Sequence, residues 1–493
     1  REKMKKKVVI IGSGFSSLSA SCYLAKNGFE VSVFEKNNTF GGRASQFKKD
    51  GFTFDIGPSW YWMPDVFEKF FSDFNKKVSD YYFLKKLDPA YEVYFSDGKS
   101  IKIGDTLEKI YSAFENEEKG SSVKLKKFIK NAEENYNIAV KDLVYNMPGI
   151  SPLELVTLET IKKIGYFMST IKKEVNSEFT NPKLSQILQF PVLFLGAKPS
   201  ATPAFYNFMN FADFGLGTWH PNKGMYSVVE GIVVLAKELG VKFHNNQNIE
   251  KIIVKNDKIK GVKSNGKKFD FDIVLSGADY NHSESLLDKE YRVYSKKFWA
   301  KKVFAPSSLL FFVGINKKIK NVSHHTLFFD VDFDNHAKSI YDSPEWPKKP
   351  LFYGNFPSIT DKTMAPKGKE SCFFLIPIAS GIEDSQKIRE NYFKIIIDRL
   401  EKLTGQSIKE DILFKKSYCL NNFVEDYNSY KGNAYGLANT LMQTAFLRPK
   451  LISKKVKNLY FTGQLTVPGP GVPPALISGK LVSEIIKTHN PEV

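Results

Sequence analysis

The sequence predicts an α/β fold with a Rossmann-like βαβ unit near its amino-terminal end, and three observations carry that prediction. Val8-Val9-Ile10-Ile11 is a short β-branched run of the kind that becomes a strand buried on both faces. Gly12-Ser13-Gly14-Phe15-Ser16-Ser17 follows at once, and residues 18–26 then carry apolar side chains at helical spacing before Asn27-Gly28, a helix C-terminal signal. A second strand, residues 30–35, ends on Glu35.

Each part has a chemical reason. Gly12 permits the tight turn, and Gly14 lets a pyrophosphate approach the backbone with no Cβ in the way. Phe15, Ser16 and Ser17 open a helix whose free N–H groups and positive dipole end face those phosphates. Glu35, twenty-one residues after Gly14 and followed by Lys36, is placed to accept hydrogen bonds from ribose hydroxyls, and its charge disfavours a 2′-phosphate. Ser17 replaces the third glycine of G-x-G-x-x-G, a position of close helix–strand packing that a small residue can fill. Taken alone the glycines are weak evidence; strand, glycines, helix, strand and acid in order are not. Gly41-Gly42-Arg43 comes five residues after Glu35, and Gly57-Pro58-Ser59 follows the run Phe52-Thr53-Phe54-Asp55-Ile56. Extra glycines beyond the acid suit a cofactor that stays extended across the domain, a flavin rather than a nicotinamide, with Arg43 as a fixed charge for its phosphates. Singly, Gly41-Gly42 also reads as a turn and Arg43 as a surface charge.

At this point the chain resembles the flavin-dependent amine oxidase superfamily, and within it the bacterial and fungal type of carotenoid (phytoene) desaturase. Residues 9–28, 35–64, 206–240 and 432–486 carry the resemblance. The most specific part is Thr462-Gly463-Gln464 with Pro468-Gly469-Pro470-Gly471-Val472-Pro473. The resemblance implies FAD and an apolar polyene substrate, with oxygen or a quinone as electron acceptor. It implies a discontinuous FAD-binding domain (1–85, 216–288 and 429–493) and an α+β substrate domain (86–215 and 289–428). Gly463 is expected near the ribityl–phosphate part of the cofactor. Gly471-Val472-Pro473 is expected to open a helix whose dipole stabilises negative charge on the reduced ring. Gln464 stands where many relatives have Asp, so it can hydrogen-bond but carries no charge.

Flavin N5 takes the hydride in such a reaction, so the protein must hold a long apolar chain, exclude water and tune the ring. No side chain stands out as catalytic. Trp219 and His220, in Gly217-Thr218-Trp219-His220-Pro221, are candidates for the border of the polyene tunnel, against a plain structural role; Arg448 has a similar status. Phytoene desaturation toward neurosporene or lycopene is the leading expectation. A desaturase for hydroxylated or shorter carotenoids, a flavin-dependent cis–trans isomerase and a binding protein with a vestigial flavin site are the alternatives.

Composition bounds the partners. A chain of 493 residues can hold two domains. Its net charge of +18 has no accompanying nucleic-acid signature, so an anionic membrane surface is the expected partner, set against a lysine-rich composition with no such role. Cys22, Cys372 and Cys419 are odd in number and widely spaced, which argues against a disulfide framework or a metal site and for a reducing cytoplasm, at the inner face of the membrane. Lys3, Lys5, Lys6 and Lys7 ahead of an apolar run imitate a signal peptide, but that run is the first strand. Arg1-Glu2-Lys3 ahead of Met4 reads as an added or upstream segment. No uninterrupted apolar run of about 18 residues occurs, so no membrane span is expected.

Along the chain, residues 60–80 predict a helix and residues 91–101 a hairpin at Asp97-Gly98. Residues 106–146 predict helix interrupted near 115–122. Pro148 and Pro152 mark a break. Residues 153–175 are amphipathic with lysines on the polar side, and residues 184–196 are apolar but too short to span a bilayer. Together these read either as an interfacial docking site near a substrate entrance or as buried core helices. Residues 225–239 predict a helix and 241–243 the start of a strand. Residues 249–254 and 259–264 predict paired strands, and 272–279 a strand and turn under the flavin. Residues 309–315 and 372–378 predict strands, and 389–403 a helix.

Overall fold

The β-branched run becomes the centre of a sheet buried on both faces, with Val8, Val9 and Ile10 inaccessible to solvent. The computed structural model describes residues 5–493, except the side chains of Leu155, Phe194, Leu195 and Leu441. The segment Arg1 to Met4, with Lys3 of the basic cluster, lies outside the described residues. Strands β1 (Lys7–Ile11), β2 (Glu30–Phe34), β3 (Lys242–His244), β4 (Ile273–Ser276) and β5 (Leu459–Phe461) form one parallel sheet in the order β5-β4-β1-β2-β3. The strand order reverses between β1 and β4, where an open parallel sheet leaves a crevice at its carboxyl edge.

Helix α1 (Phe15–Lys26) connects β1 to β2, α2 (Tyr226–Glu238) precedes β3, and α3 (Val472–His489) follows β5. The two ends of the chain are joined by α1 against α3. A Cβ on Gly479 would stand 2.4 Å from the Ser16 carbonyl oxygen, so only glycine lets the helices approach this closely. Ser19 Oγ donates to Leu476 O at 2.7 Å across the same contact.

A second, seven-stranded mixed sheet has the order Ile412–Tyr418, Ser307–Ile315, Glu370–Ile378, Phe352–Asn355, His325–Phe329, Tyr91–Phe95, Ser100–Ile103. Register places Leu310 opposite Leu375, Leu375 opposite Tyr353, and Tyr353 opposite Leu327. Side chains in one such row share a face, so these four form a strip across the sheet.

Several expected elements occur as read, among them the hairpin turning at Asp97-Gly98, the 225–239 helix and the paired strands around Asn256-Asp257. Others differ. In residues 60–80 the α-helix is confined to Pro64–Ser72, with Pro64 in its first turn, and a single 3₁₀ turn follows at Val78–Asp80. Residues 153–175 divide into four short pieces: Pro152–Leu155, Leu158–Lys162, Ile164–Met168 and Ile171–Glu178. The Thr157 and Thr170 side chains accept the N–H groups of Thr160 and Lys173, and such caps start new helices instead of continuing old ones. The apolar segment 184–196 is core: Leu184, Ile187, Leu188 and Val192 are wholly buried. Among the described residues no helix is long and apolar enough to cross a membrane.

Candidate active site

The loops leaving β1, β2, β4 and β5 meet at the carboxyl edge of the parallel sheet and form one end of a cavity of about 440 Å³. Gly12, Gly14, Phe15, Ser16, Glu35, Lys36, Gly42 and Arg43 line it. So do Gly57, Pro58, Ser59, Gly463, Gln464, Gly471, Val472 and Pro473, which brings sixteen of the expected cofactor residues to one cavity. Ser17 is the exception: it is buried under Gly277, where a Cβ would stand 1.9 Å from Ser17 Oγ. That contact gives Ser17 the packing role of the missing glycine, not a place at the cavity.

The wall is built for an anionic, hydroxyl-bearing molecule. Leu18 N–H is the first of α1 to bond within the helix, to Gly14 O at 2.9 Å, so the N–H groups ahead of it have no helical acceptor. A Cβ on Gly14 would meet nothing within 4 Å, so a side chain there would project into open space at the site. Glu35 accepts from Ser13 N (2.9 Å), Ser13 Oγ (2.6 Å) and Asn37 N (2.8 Å), leaving acceptor capacity for one further donor. Lys36 sends its ammonium to the Glu425 carbonyl.

Arg43 donates from Nη2 to Ser429 Oγ and Asn433 O, both at 3.1 Å, and its guanidinium lies 5.4 Å from the Tyr427 ring. Its Nε is buried without a hydrogen-bond partner among the described residues. Burial pushes the Arg43 pKa down, and the nearby Asp279 carboxylate works against that push. The Asp279 carboxylate is itself occupied by backbone and Asn433 donors. A buried cation with an unpaired N–H beside a cavity calls for an anion to complete it.

The other end of the cavity is apolar. The sheet strip Leu310, Leu375, Tyr353 and Leu327 forms its floor, with Phe329, Phe333, Ile340, Leu351, Phe190, Leu193 and Met209 around it. His336 is held in one tautomer, accepting Leu351 N at Nδ1 and donating from Nε2 to Pro377 O, both at 2.7 Å. Burial pushes its pKa down to about 4.

Trp219 and His220 do not border this cavity. Trp219 donates to Leu216 O at 2.9 Å, with Lys86 over its ring, and His220 Nε2 sits 3.0 Å from Asp361 Oδ2 in the protein interior. Arg448 also lies off the cavity, its guanidinium donating to the carbonyls of Leu437 and Gln464 and its Nε buried without a partner among the described residues. Sequence reasoning missed Tyr353, Leu375, Leu327 and His336. The strands holding the first three have both faces buried, so no alternation of polar and apolar residues marks the cavity face.

The chain is similar over nearly its whole length to known proteins. Residues 15–487 match the family described as flavin containing amine oxidoreductase. A carotenoid 3,4-desaturase of Haloarcula japonica is 39% identical over 482 residues, 97% of each chain. A zeta-carotene-forming phytoene desaturase of Myxococcus xanthus is 30% identical, covering 98% of this chain and 94% of its own. Among solved structures, an oxidoreductase from Methanosarcina mazei superposes with a TM-score of 0.61 at 15% identity, over 98% of this chain and 100% of its own.

Proposed function

The chain belongs to the flavin-containing amine oxidoreductase family, alongside its carotenoid desaturases, and from that premise we propose that it introduces a double bond at the 3,4 position of a carotenoid. It is an FAD-dependent oxidoreductase acting on CH–CH groups of an apolar polyene. The 39% identity to a 3,4-desaturase supports that position ahead of phytoene, the substrate first expected; the phytoene reading draws its support from the Myxococcus relative and the sequence motifs. Bound FAD supplies a two-electron acceptor for the hydride.

The residues present fit FAD, and the observation that carries this is Arg43, a buried cation with an unpaired N–H at the cavity wall. In our assignment Gly12, Gly14 and the first turn of α1 hold the pyrophosphate with Arg43, and Glu35 takes a ribose hydroxyl, with Lys36 and Gly42 alongside. Gly57, Pro58, Ser59, Gly463, Gln464 and the Gly471-Val472-Pro473 start of α3 surround the flavin end. The sheet floor holds the polyene and keeps water out, which strengthens every charge interaction at the reacting end. We assign the parallel-sheet segments 1–85, 216–288 and 429–493 to the FAD-binding domain, and 86–215 with 289–428 to the substrate domain.

A membrane is the source of so apolar a substrate. Leu153, Leu158, Ile161, Ile164 and Met168 are 55–84% exposed on the short pieces that replace the expected helix. Lys162, Lys172 and Lys173 lie in the same stretch. A contiguous run of exposed apolar side chains beside lysines fits docking on an anionic bilayer, and Phe167, stacked on Phe205 at 4.6 Å, ties it to the segment that supplies Met209 to the cavity. The deciding experiment is product analysis from cells that make either phytoene or a later, conjugated carotenoid together with this protein. A 3,4-didehydro product from the latter supports the proposal; isomerised carotenoid with no acceptor consumed, or unchanged carotenoid in both hosts, removes it.

A further inference from the structure

Removing a hydride from one carbon leaves its neighbour with a proton that must go to some acceptor, and nothing in the cofactor motifs provides one. The sheet floor does. His325 and Asn355 face each other in register on adjacent strands, and Tyr353, two residues before Asn355, shares their face. Tyr353 Oη is 2.6 Å from His325 Nδ1, accepts from Asn355 Nδ2 at 2.8 Å, and is 3.0 Å from Ser59 Oγ. With Asn355 donating to it, Tyr353 has its own proton free to donate to His325. Both Ser59 and Tyr353 line the cavity, at the junction between its polar and apolar ends. The indole of Trp60 stacks on His325 with ring centroids 4.0 Å apart and planes 10° from parallel, which fixes the imidazole.

Behind His325 lie two further imidazoles and a carboxylate. Three of the chain's seven histidines adjoin here: His324 lies 4.5 Å from His325, and His220 4.7 Å from His324, between ring centroids. His220 contacts Asp361, whose carboxylate also accepts Lys223 N at 2.7 Å, Thr363 N at 3.0 Å and Thr363 Oγ at 2.6 Å. Burial alone would raise the Asp361 carboxyl, but the hydrogen bonds from His220, Thr363 and Lys223 outweigh it and hold that group well below the usual carboxylate range. Nε2 of both His324 and His325 is buried with no hydrogen-bond partner among the described residues. Burial pushes both imidazoles well below their ordinary pKa, so each is neutral at neutral pH. The same burial resists a lasting positive charge on either ring, which makes His325 a transient stop for a proton and not a resting one.

We propose that Tyr353, backed by His325, is the group that receives the substrate proton in the desaturation. The step rests on the desaturase reading above. As the hydride leaves one carbon, the C–H bond on the adjacent carbon breaks and its electron pair completes the new double bond. Ser59 Oγ–H, which must donate to Tyr353 Oη when the Tyr353 proton points at His325, turns away and frees one lone pair. The substrate proton passes to that lone pair while the Tyr353 O–H proton passes to His325 Nδ1. Tyr353 ends neutral, and His325 holds one positive charge with the Asp361 carboxylate two rings away. A carbon acid next to an electron-deficient centre is strong, so a phenol relaying to a neutral imidazole suffices.

The test uses the FAD-loaded protein with its carotenoid, comparing wild type with Tyr353→Phe and His325→Gln. In both variants kcat falls about 100-fold or more while KM, flavin content and carotenoid binding, read from the perturbed flavin spectrum, stay as in wild type. The wild type shows a solvent deuterium effect on kcat that His325→Gln abolishes, and in ¹⁵N-histidine spectra Tyr353→Phe shifts the His325 Nδ1 signal. If Tyr353→Phe fails to fold, His325→Gln carries the test alone. A wild type that oxidises carotenoid beside variants that keep their kcat overturns the proton assignment and leaves the desaturase reading standing. A wild type that oxidises no carotenoid overturns that reading, and the assignment with it.

Discussion

The two ends of the cavity are made in opposite ways. The polar end is local: Gly12 to Glu35 encode a strand, a turn, a helix N-terminus and an acid within one βαβ unit, and each residue has its role because of its distance along the chain. The apolar end is assembled from afar. Leu310, Leu327, Tyr353 and Leu375 come from four strands and meet only through register. Chemistry tied to spacing is confined to few solutions, whereas an apolar wall can be built from many, so the first end constrains sequence tightly and the second loosely.

The sharpest way to break the polar end is to part the helices that join the chain's two ends. Gly479→Leu forces a side chain into the Ser16 carbonyl and should cost about 3 kcal/mol, with loss of bound flavin. Thermal unfolding and flavin absorbance after purification read both effects.

Acid attacks the apolar end instead. The unfolded chain protonates His336 near 6.5, the folded chain only near about 4, so the unfolded state binds more protons between those values. The His336 contribution to stability is full above pH 6.5 and falls by about 3 kcal/mol as the pH drops through that window. Denaturant unfolding across the window should show the slope, to which the buried His324 and His325 add in the same direction, and His336→Gln should remove only its own share of it.

Arg43→Met removes the buried cation while keeping the stem. FAD affinity should weaken by about 2 kcal/mol, roughly 30-fold, with little change in the stability of the flavin-free protein. Unchanged affinity would return Arg43 to a structural role. The smallest effect on stability belongs to the exposed apolar stretch: Leu158→Glu with Met168→Glu should stay within about 0.5 kcal/mol of wild type yet lose binding to anionic vesicles in a sedimentation assay.

What the sequence disclosed follows the same division. The βαβ unit and the places of Glu35 and Arg43 beside the cavity were legible because each depends on spacing from the glycine turn, and the Gly471 helix start was legible from the family resemblance. Ser17 was legible in its packing role and not as a contact. Tyr353 and His325 were not legible, since nothing local distinguishes a histidine on one buried strand from the tyrosine it meets on the next. Trp219 and His220 attracted notice for their types; only the Asp361 carboxylate, distant in sequence, reveals that His220 is an interior partner. The amphipathic stretch 153–175 and the apolar segment 184–196, which together read either as a docking site or as core, part company in the fold: the second is buried, whereas Thr157 and Thr170 break the first and leave its apolar side chains outside.

Anaerobic mixing of the FAD-loaded protein with a conjugated carotenoid probes both ends of the cavity at once. One new carbon–carbon double bond should form for each flavin bleached, with the carotenoid absorbance shifting to longer wavelength as the flavin absorbance falls. A folded, flavin-containing protein whose colour no carotenoid discharges would contradict the shared cavity of cofactor and polyene.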